Sequence, residues 1–513
     1  MSKNWFFILA FIEGSSVMAI ELLGAKMIAP FYGNSLFVWT SVLGITLAGL
    51  ASGYYLGGFV SRKFPKTHTI FYVFMIAAFW VVIMPFWANF IMKATLMFGY
   101  EMGSIVSCLC FLFPPMVFHG MIPPVLINLI TEDIDRSGSV SGNVYAISTI
   151  GGVLMTFFTG FFVIPYFGLK PSTFTMAVIL AIVPFIYFLR EKILISVGII
   201  FFSAILISIG MSHKPMKKNS HIKILHKSDG LLGQILIADD LNTQKRSLLI
   251  NNISQTFMHN PTGRAQWKYV HRIALYSSIK PAGSKVLVCG LGGGNLINEL
   301  NNLDFETDAV EIDERMEKAA KKYFRMTGNV NVIVDDARHY IRTSRKKYDI
   351  IVLDMSAGEN QPSNIYTVEC FREIQGILNS GGIMFIHYQN VLEGEYALAV
   401  KSIGKTLLES GFYAKLIETQ PKQDKTSELM LFASLEPVDL DSYSFERRDK
   451  FADPFNFPRD SIFIEDYDFS DGIVLTDDAP VMDFLHKNTF ETTREATIKT
   501  LIPIFLKEKM EIL

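Results

Sequence analysis

The chain has 513 residues, of which 50% are hydrophobic, with a mean hydropathy of +0.30 and a net charge of −2. This charge gives no sign of a nucleic-acid partner, which normally requires a basic surface. The averages combine two unlike halves, because long apolar runs fill the chain before residue 213 and Lys, Asp and Glu are frequent after residue 220. We therefore expect two domains in different solvents. The cysteines show no metal-type spacing, which fits a reducing cytoplasm without a disulfide framework; they are Cys108, Cys110, Cys289 and Cys370.

The N-terminal half is predicted to be an all-α membrane bundle over residues 1–213. Each apolar run is long enough to cross ~30 Å of hydrocarbon, which takes ~20 residues. The first run has no small-residue cleavage site, so we interpret it as a span and not as a signal peptide. The run at 104–131 contains "FPP" and "IPP" and is expected to be kinked or broken. The seven predicted spans are 4–29, 36–60, 69–92, 104–131, 140–165, 171–189 and 193–212.

Basic residues do not settle the orientation of these spans. "SRKFPK" (61–66), "REK" (190–192) and "HKPMKK" (213–218) cannot all face the cytoplasm if there are seven spans. We place the C-terminal half in the cytoplasm because the ligand predicted below is cytosolic, which makes the chain a multi-pass protein of the inner or plasma membrane. The first span contains Glu13 and Glu21, and an acid in a span is a functional candidate. The alternative is that Glu21 pairs with Lys26 or with another polar group between helices.

The C-terminal half begins with a small β region at 221–258 and a linking helix in "AQWKYVHRIALYSSI", which together make up a segment at 221–282. A Rossmann-like α/β domain is expected over 283–490, because strands and helices alternate from residue 285 onward. The tail at 491–513 is amphipathic and is expected to form a docking helix. The predicted strands are "KVLVCG", "DAVEID", "VNVIVDD", "YDIIVLD" and "GGIMFIHY", separated by helices at 294–302, 313–325, 337–344 and 366–379.

A glycine-rich loop follows the first of these strands, in "VLVCGLGGGNLINEL". Such a loop lets a ligand approach the backbone closely, although packing also uses glycine. Acids at successive strand ends strengthen the ligand interpretation. Glu311 could accept both ribose hydroxyls, and Asp335 or Asp336, followed by Ala337, could meet an adenine amino group. Asp354 ends the fourth strand. The loop glycines are Gly290, Gly292, Gly293 and Gly294.

This pattern predicts a nucleoside site with an acidic centre. A dinucleotide site is the weaker interpretation, because acids stand where a pyrophosphate would need basic groups.

These residues resemble the spermidine synthase family of aminopropyltransferases, and more widely the S-adenosylmethionine-dependent methyltransferases. The β region favours the former, as does Tyr269 in "KYVH". "INNISQ", which ends at Gln255, is similar to the family's "LDGxxQ" turn but is one place short of an unforced match. The apolar half resembles the membrane-fused branch of this family in "MAIELLGAKMIAPFYGNSLFVWTS" and "GNVYAISTIGGVLMTFFTGFFVIPYFGL", and the late "LTDDAP" does so too.

The resemblance implies a role for each matching residue. Glu311 would bind ribose, Asp336 and Ala337 would face adenine, and Tyr269 and Asp354 would lie at the reacting centre. Asp354 would orient and deprotonate an attacking amine. The donor would be S-adenosylmethionine or its decarboxylated form, methylthioadenosine would leave, and no metal would be needed. The acceptor would be a small amine, and soluble relatives are usually dimers or tetramers.

Two departures from the family pattern bear on the substrate. The family's "GGGDGG" is "GLGGGN" here, so Gly293 replaces an acid, and the second acid of the family's "DxxD" is Ala357 in "DMSA". Three consequences stay open. The donor is S-adenosylmethionine itself, the acceptor is not putrescine, or the donor's own amine attacks to form a four-membered azetidine ring.

Other residues are weaker candidates, each with a structural alternative. "ENQ" at 359–361 is either a turn or a polar gate, His387 and Tyr388 are either strand-end site residues or packed ones, and Tyr366 is a candidate for lining the pocket. Asp477 and Asp478 either cap a turn or close over the nucleoside.

The leading hypothesis is an integral membrane enzyme of the spermidine synthase type. The alternatives are a methyltransferase on the same fold, and a transporter or sensor with a nucleoside-binding domain.

Overall fold

A computed structural model describes residues 3–486, except 132–133, 192–220, 329, 357–360, 395–396, 424–425, 441–466 and 480, and also residues 489, 492, 494, 496 and 497. The chain forms two compact units. One comprises residues 1–220, 227–235 and 497–513, and the other comprises residues 221–226 and 236–496.

The first unit is helical. Six of its described helices are long and apolar enough to cross a membrane. The predicted span at 193–212 lies outside the described residues, so the described part of the chain supports six of the seven spans by length and composition. The helices are α1 (Lys3–Tyr32), α2 (Leu36–Lys63), α3 (Thr67–Thr95), α4 (Tyr100–Phe111), α5 (Phe113–Ile130), α6 (Ser137–Phe158), α7 (Ile164–Phe167) and α8 (Leu169–Arg190).

The run at 104–131 is broken at "FPP", as predicted, whereas α5 continues through "IPP". A short apolar helix, α4, ends at Phe111, and α5 begins at Phe113. Pro114 and Pro115 occupy the first turn of α5, where the missing backbone N–H groups cost no helical hydrogen bond. Pro123 and Pro124 lie deeper in α5, where the helix continues past them.

Close backbone contact joins helices within this unit. A Cβ placed on Gly53 of α2 would lie 2.2 Å from the carbonyl oxygen of Val117 in α5. Glu13 of α1 is buried and accepts a hydrogen bond of 2.7 Å from the Ser148 hydroxyl of α6. Glu13 is therefore paired with a polar side chain of another helix.

The second unit contains two sheets. A four-stranded sheet has the order β1-β2-β3-β4, and a seven-stranded sheet has the order β10-β11-β9-β8-β5-β6-β7. The strands of the four-stranded sheet are β1 (Ile222–Ser228), β2 (Ile235–Asp240), β3 (Lys245–Ile250) and β4 (Ile253–His259). Those of the larger sheet are β5 (Lys285–Cys289), β6 (Glu306–Glu311), β7 (Val330–Val334), β8 (Tyr348–Leu353), β9 (Leu378–Asn390), β10 (Tyr413–Gln423) and β11 (Thr426–Ser434).

Helices connect the strands of the larger sheet. They are α9 (Lys268–Ser277), which precedes β5, and then α10 (Asn295–Asn301), α11 (Glu314–Tyr323), α12 (Ala337–Thr343), α13 (Val368–Ile377), α14 (Leu398–Glu409) and the short α15 (Met482–Leu485).

The larger sheet is Rossmann-like, as predicted. Strands β5 to β9 pair in parallel, and the chain order reverses between β5 and β8. Ligands of such sheets bind beyond the carboxyl ends of the strands at this reversal. The central strands are fully buried apolar runs, because helices cover both faces of a parallel sheet.

The sequence analysis did not predict the antiparallel edge of the sheet. Strand β11 runs antiparallel to β9, with Met430 opposite His387 and Glu428 opposite Gln389. Strand β10 then pairs with β11 as a hairpin. This edge brings side chains of β11 next to those at the end of β9.

The contact between α2 and α5 predicts the effect of a single methyl group. Gly53→Ala places that group against backbone atoms of α5 and should destabilise the protein by about 1–3 kcal/mol, the usual cost of overpacking. Gly44→Ala is the matched control on the same helix, because a Cβ there has no atom within 4 Å. It should be neutral, or stabilising by up to about 1 kcal/mol.

Thermal unfolding of both variants in the same detergent measures the difference. Equal melting temperatures for the two variants would contradict the close approach of α2 to α5.

Candidate nucleoside site with an acidic centre

The glycine loop lies at the carboxyl end of β5 and leads into α10. Gly290, Gly292 and Gly294 have φ values of 98°, 51° and 76°, which favour glycine over other residues. A Cβ on Gly290 would lie 2.0 Å from the backbone oxygen of Asp354. The loop therefore packs directly against the end of β8, and only glycine fits at residue 290.

Gly293 occupies a different environment from its neighbours. Its amide donates to the Thr256 hydroxyl at 2.8 Å. A Cβ there would lie 2.7 Å from the Thr256 methyl group and 3.0 Å from the Phe324 ring. An aspartate at this position would force these neighbours to move.

Glu311 ends β6 and faces the glycine loop. Its carboxylate accepts hydrogen bonds from the backbone amides of Leu291, at 3.0 Å, and Asp313, at 2.9 Å. Burial raises the pKa of Glu311, and these two amides partly offset the increase. The side chain therefore holds the glycine loop in place.

The residues after β7 include the N-cap of a helix, and the same residues are predicted to contact adenine. Asp336 caps α12, and its side chain accepts from the amide of His339 at 3.0 Å. Asp335 pairs with the His339 ring at 2.8 Å, and Ala337 is buried. Asp336 therefore caps a helix, and its contact with adenine stays a prediction.

Asp354 follows β8, with hydrogen-bond donors on both oxygens. The Tyr269 hydroxyl on α9 donates to Oδ2 at 3.0 Å, and Nδ1 of His387 on β9 lies 2.8 Å from Oδ1. The Tyr269 and His387 rings stack with centroids 3.6 Å apart and planes 5° from parallel. Two side chains named separately in the sequence analysis thus contact the same carboxylate.

Glu428 completes this group from the antiparallel strand β11. Its Oε2 lies 2.5 Å from Nε2 of His387. Burial alone would lower the pKa of His387, but hydrogen bonds to Asp354 and Glu428 outweigh burial and raise the pKa to about 10. His387 is therefore an imidazolium at neutral pH.

Tyr269 stays protonated beside these carboxylates. Burial raises its pKa, and the negative charges of Asp354 and Glu428 raise it further. Tyr366 is fully buried, and burial followed by the charge of Asp354 raises its pKa as well. Both phenols therefore keep their hydroxyl protons.

Other predicted residues lie around this group or away from it. Gln255 accepts a hydrogen bond from the Ser356 hydroxyl, two residues after Asp354. Tyr388 is buried, and its hydroxyl lies 2.7 Å from Nδ1 of His486, so its contact is a packed one. The predicted candidates Ala357, Glu359 and Asn360 lie outside the described residues, whereas Gln361 lies 3.4 Å from the Tyr366 hydroxyl.

The late acids occupy structural positions. Asp477 pairs with Arg338 at 2.9 Å and accepts from the Thr367 hydroxyl at 2.6 Å. Burial raises the pKa of Asp477, but these hydrogen bonds lower it overall. Asp478 accepts from Thr476 at 2.7 Å, so the turn-capping interpretation matches the contact of Asp478 but not those of Asp477.

Glu428 is the residue that the sequence analysis missed. A single acid in the apolar strand "TSELMLFAS" was the available signal. Without the pairing of β11 with β9, nothing in the sequence connects it to Asp354.

The fold and this arrangement define a Rossmann-like domain with an acidic centre at the reversal of its strand order. Residues 270–425 match the spermine/spermidine synthase domain model. Residues 270–425 are therefore spermidine synthase-like, which confirms the family resemblance for this part of the chain.

Three curated relatives show how far the likeness extends. A polyamine aminopropyltransferase of Methanocaldococcus jannaschii is 29% identical over 39% of this chain and 68% of its own length. Polyamine aminopropyltransferase 2 of Aquifex aeolicus is 22% identical over 86% of this chain and 90% of its own. An N-terminal histidine N-methyltransferase of Emericella nidulans is 36% identical over 21% of this chain and 20% of its own.

Coverage of the relatives is uneven. Several further polyamine aminopropyltransferases are matched over less than half of their own length, among them those of Vibrio vulnificus and Clostridium botulinum. The match to the domain model at residues 270–425 includes the glycine loop and Asp354.

The Gly290 contact predicts a loss of both stability and nucleoside binding. Gly290→Ala adds a methyl group against Asp354 as well as left-handed strain, and should abolish methylthioadenosine binding measured by calorimetry. Gly283→Ala is the matched control, because Gly283 has φ 80° but no atom within 4 Å of its Cβ. It should lose only about 1–2 kcal/mol of stability and keep binding. Equal binding by both variants would contradict the placement of the site.

The charge of His387 predicts a pH-dependent contribution to stability. Because its folded pKa is raised to about 10, its ion pairs stabilise the protein fully below its unfolded pKa of about 6.5. This contribution decreases as the pH rises towards and through 10. The melting-temperature difference between the unmodified protein and His387→Gln should therefore shrink between pH 6 and pH 10. A constant difference would show that the histidine is neutral throughout.

Proposed function

We propose that this chain is an integral membrane transferase that cleaves S-adenosylmethionine or its decarboxylated form and releases methylthioadenosine. The observation that carries the proposal is the Asp354 carboxylate, held at both oxygens beside the glycine loop. Its position beyond β8 suits a base at the reacting end of a nucleoside bound across the loop, Glu311 and Asp336. The spermidine synthase-like domain and the aminopropyltransferase relatives support this type of chemistry.

The reaction is a displacement at the carbon next to the sulfonium. The lone pair of an amine forms a new C–N bond as the C–S bond breaks, and the bonding electrons stay on sulfur, which becomes a neutral thioether. The attacking nitrogen gives up a proton to Asp354. Since the sulfonium is already a good leaving group, the protein's main tasks are positioning and proton removal.

The source of the amine is the open part of the proposal. Gly293 provides no carboxylate, and its surroundings leave no space for one without rearrangement. The site therefore has few fixed negative charges with which to bind the cationic groups of a diamine. Attack by the donor's own amine, which closes an azetidine ring, needs Asp354 but no external acceptor.

The apolar helices support a membrane location. Six of the described helices have the length and composition of spans. We propose that they anchor the catalytic domain at the cytoplasmic face of the cell membrane, where its nucleoside substrate is available. The methyltransferase alternative is weaker because the four-stranded β region and Tyr269 favour the aminopropyltransferase type. The transporter or sensor alternative is weaker because a domain that only binds a nucleoside has less need of a base in the position of Asp354.

The base assignment predicts a separation of turnover from binding. Asp354→Asn keeps a hydrogen-bond acceptor for Tyr269 but removes the base, so methylthioadenosine release should fall by at least about 100-fold. Donor binding, measured by calorimetry, should change by less than about tenfold. Chromatography of the reaction mixture with detergent-purified protein measures release.

Asp304→Asn provides the matched control, because Asp304 is exposed and lies between α10 and β6. It should leave both quantities unchanged. Loss of binding in Asp354→Asn would instead assign the carboxylate to holding the donor, and full activity would remove it from the chemistry.

A further inference from the structure

His387 is contacted by polar or aromatic groups from three different elements. Asp354 after β8 meets Nδ1, Glu428 on β11 meets Nε2, and Tyr269 on α9 covers the ring face. The side chain is only 15% exposed, and Glu428 is 11% exposed. Its rotation and its position are therefore fixed by neighbours on all of these sides.

The protonation state of His387 limits its role. Both ring nitrogens face carboxylates, so both carry hydrogens, and the ring has no lone pair with which to accept another proton. It can neither act as the base nor pass a proton onward from Asp354. His387 fixes the direction of one carboxylate oxygen of Asp354 and contributes one fixed positive charge.

The charges of this group are nearly balanced. Asp354 and Glu428 contribute two negative charges, and His387 contributes one positive charge, while Tyr269 and Gln389 next to them are neutral. The single negative charge that remains matches the single positive charge of a sulfonium. A second cationic group near Asp354 would be repelled by the His387 imidazolium, because no negative charge of this group is left to balance it.

We propose that His387, held by Glu428, is a positioning residue for Asp354 whose positive charge restricts the attacking nucleophile to an amine without a second cationic group. The donor's own amine and a monoamine satisfy this condition, whereas a diamine does not. The raised pKa of His387 is consistent with the assignment, which stands on the contacts of three side chains. The inference rests on the proposed function.

The test compares His387→Gln with the unmodified full-length protein in detergent. Methylthioadenosine release is measured under three conditions, in which each donor, S-adenosylmethionine or its decarboxylated form, is supplied alone, with propylamine or with putrescine. Glutamine keeps a donor for Asp354 but removes the charge and the stacked ring. Release without putrescine should slow by about 100-fold through kcat, since Asp354 loses its orientation, with a small change in the donor KM.

The ratio of putrescine to propylamine rates should rise by roughly tenfold or more in the same variant. This ratio distinguishes a charge effect from simple damage, because damage slows both amines equally. Glu428→Gln keeps His387 and its stacking on Tyr269. It should lower kcat and raise the ratio of putrescine to propylamine rates, both by smaller factors than His387→Gln. If His387→Gln does not fold, Glu428→Gln replaces it in the test. His259→Gln is the control, because His259 contacts only the Thr262 hydroxyl among the described side chains, and should change neither quantity.

The outcomes separate the two proposals. Release by the unmodified protein combined with an unchanged ratio and kcat in both variants would overturn the role of His387 and leave the proposed function intact. Absence of methylthioadenosine from the unmodified protein under all three conditions would overturn the proposed function and this inference with it.

Discussion

The carboxylate of Asp354 is the group on which the arrangement of the candidate site depends. It stands where the strand order reverses, so the loop after β5 packs against its backbone while β9 and β11 supply groups to its side chain. A partly buried carboxylate such as that of Asp354 is costly unless its oxygens are hydrogen-bonded. Tyr269 and His387 meet that requirement, and Glu428 in turn neutralises His387. Each member of this group is therefore stable only because the next one is present.

The same constraint explains which parts of the site the sequence could reveal. Strand-end acids and the glycine loop were predictable, because parallel strands separated by helices bring their carboxyl ends to one edge. Glu311, Asp336 and Asp354 were found in this way. Glu428 was not, because it lies on an antiparallel strand whose pairing with β9 depends on tertiary packing. His387 was named, but its partner could not be.

The helical half shows a similar division between local and non-local information. Apolar length identified the spans, and the paired prolines located the break before α5. The contact of Gly53 with α5 and the pairing of Glu13 with Ser148 join helices far apart in sequence, so composition alone could not assign them. The likeness to the Aquifex aeolicus relative, over 86% of this chain, extends across both halves.

The central claim is that the site breaks the C–S bond of a nucleoside sulfonium and releases methylthioadenosine. The most direct test is mass spectrometry of detergent-purified protein incubated with S-adenosylmethionine or its decarboxylated form, each with and without putrescine. The account predicts methylthioadenosine in at least one of these mixtures, accompanied by a cyclised fragment if it forms without added amine. S-adenosylhomocysteine as the product, or unchanged donor in every mixture, would contradict it.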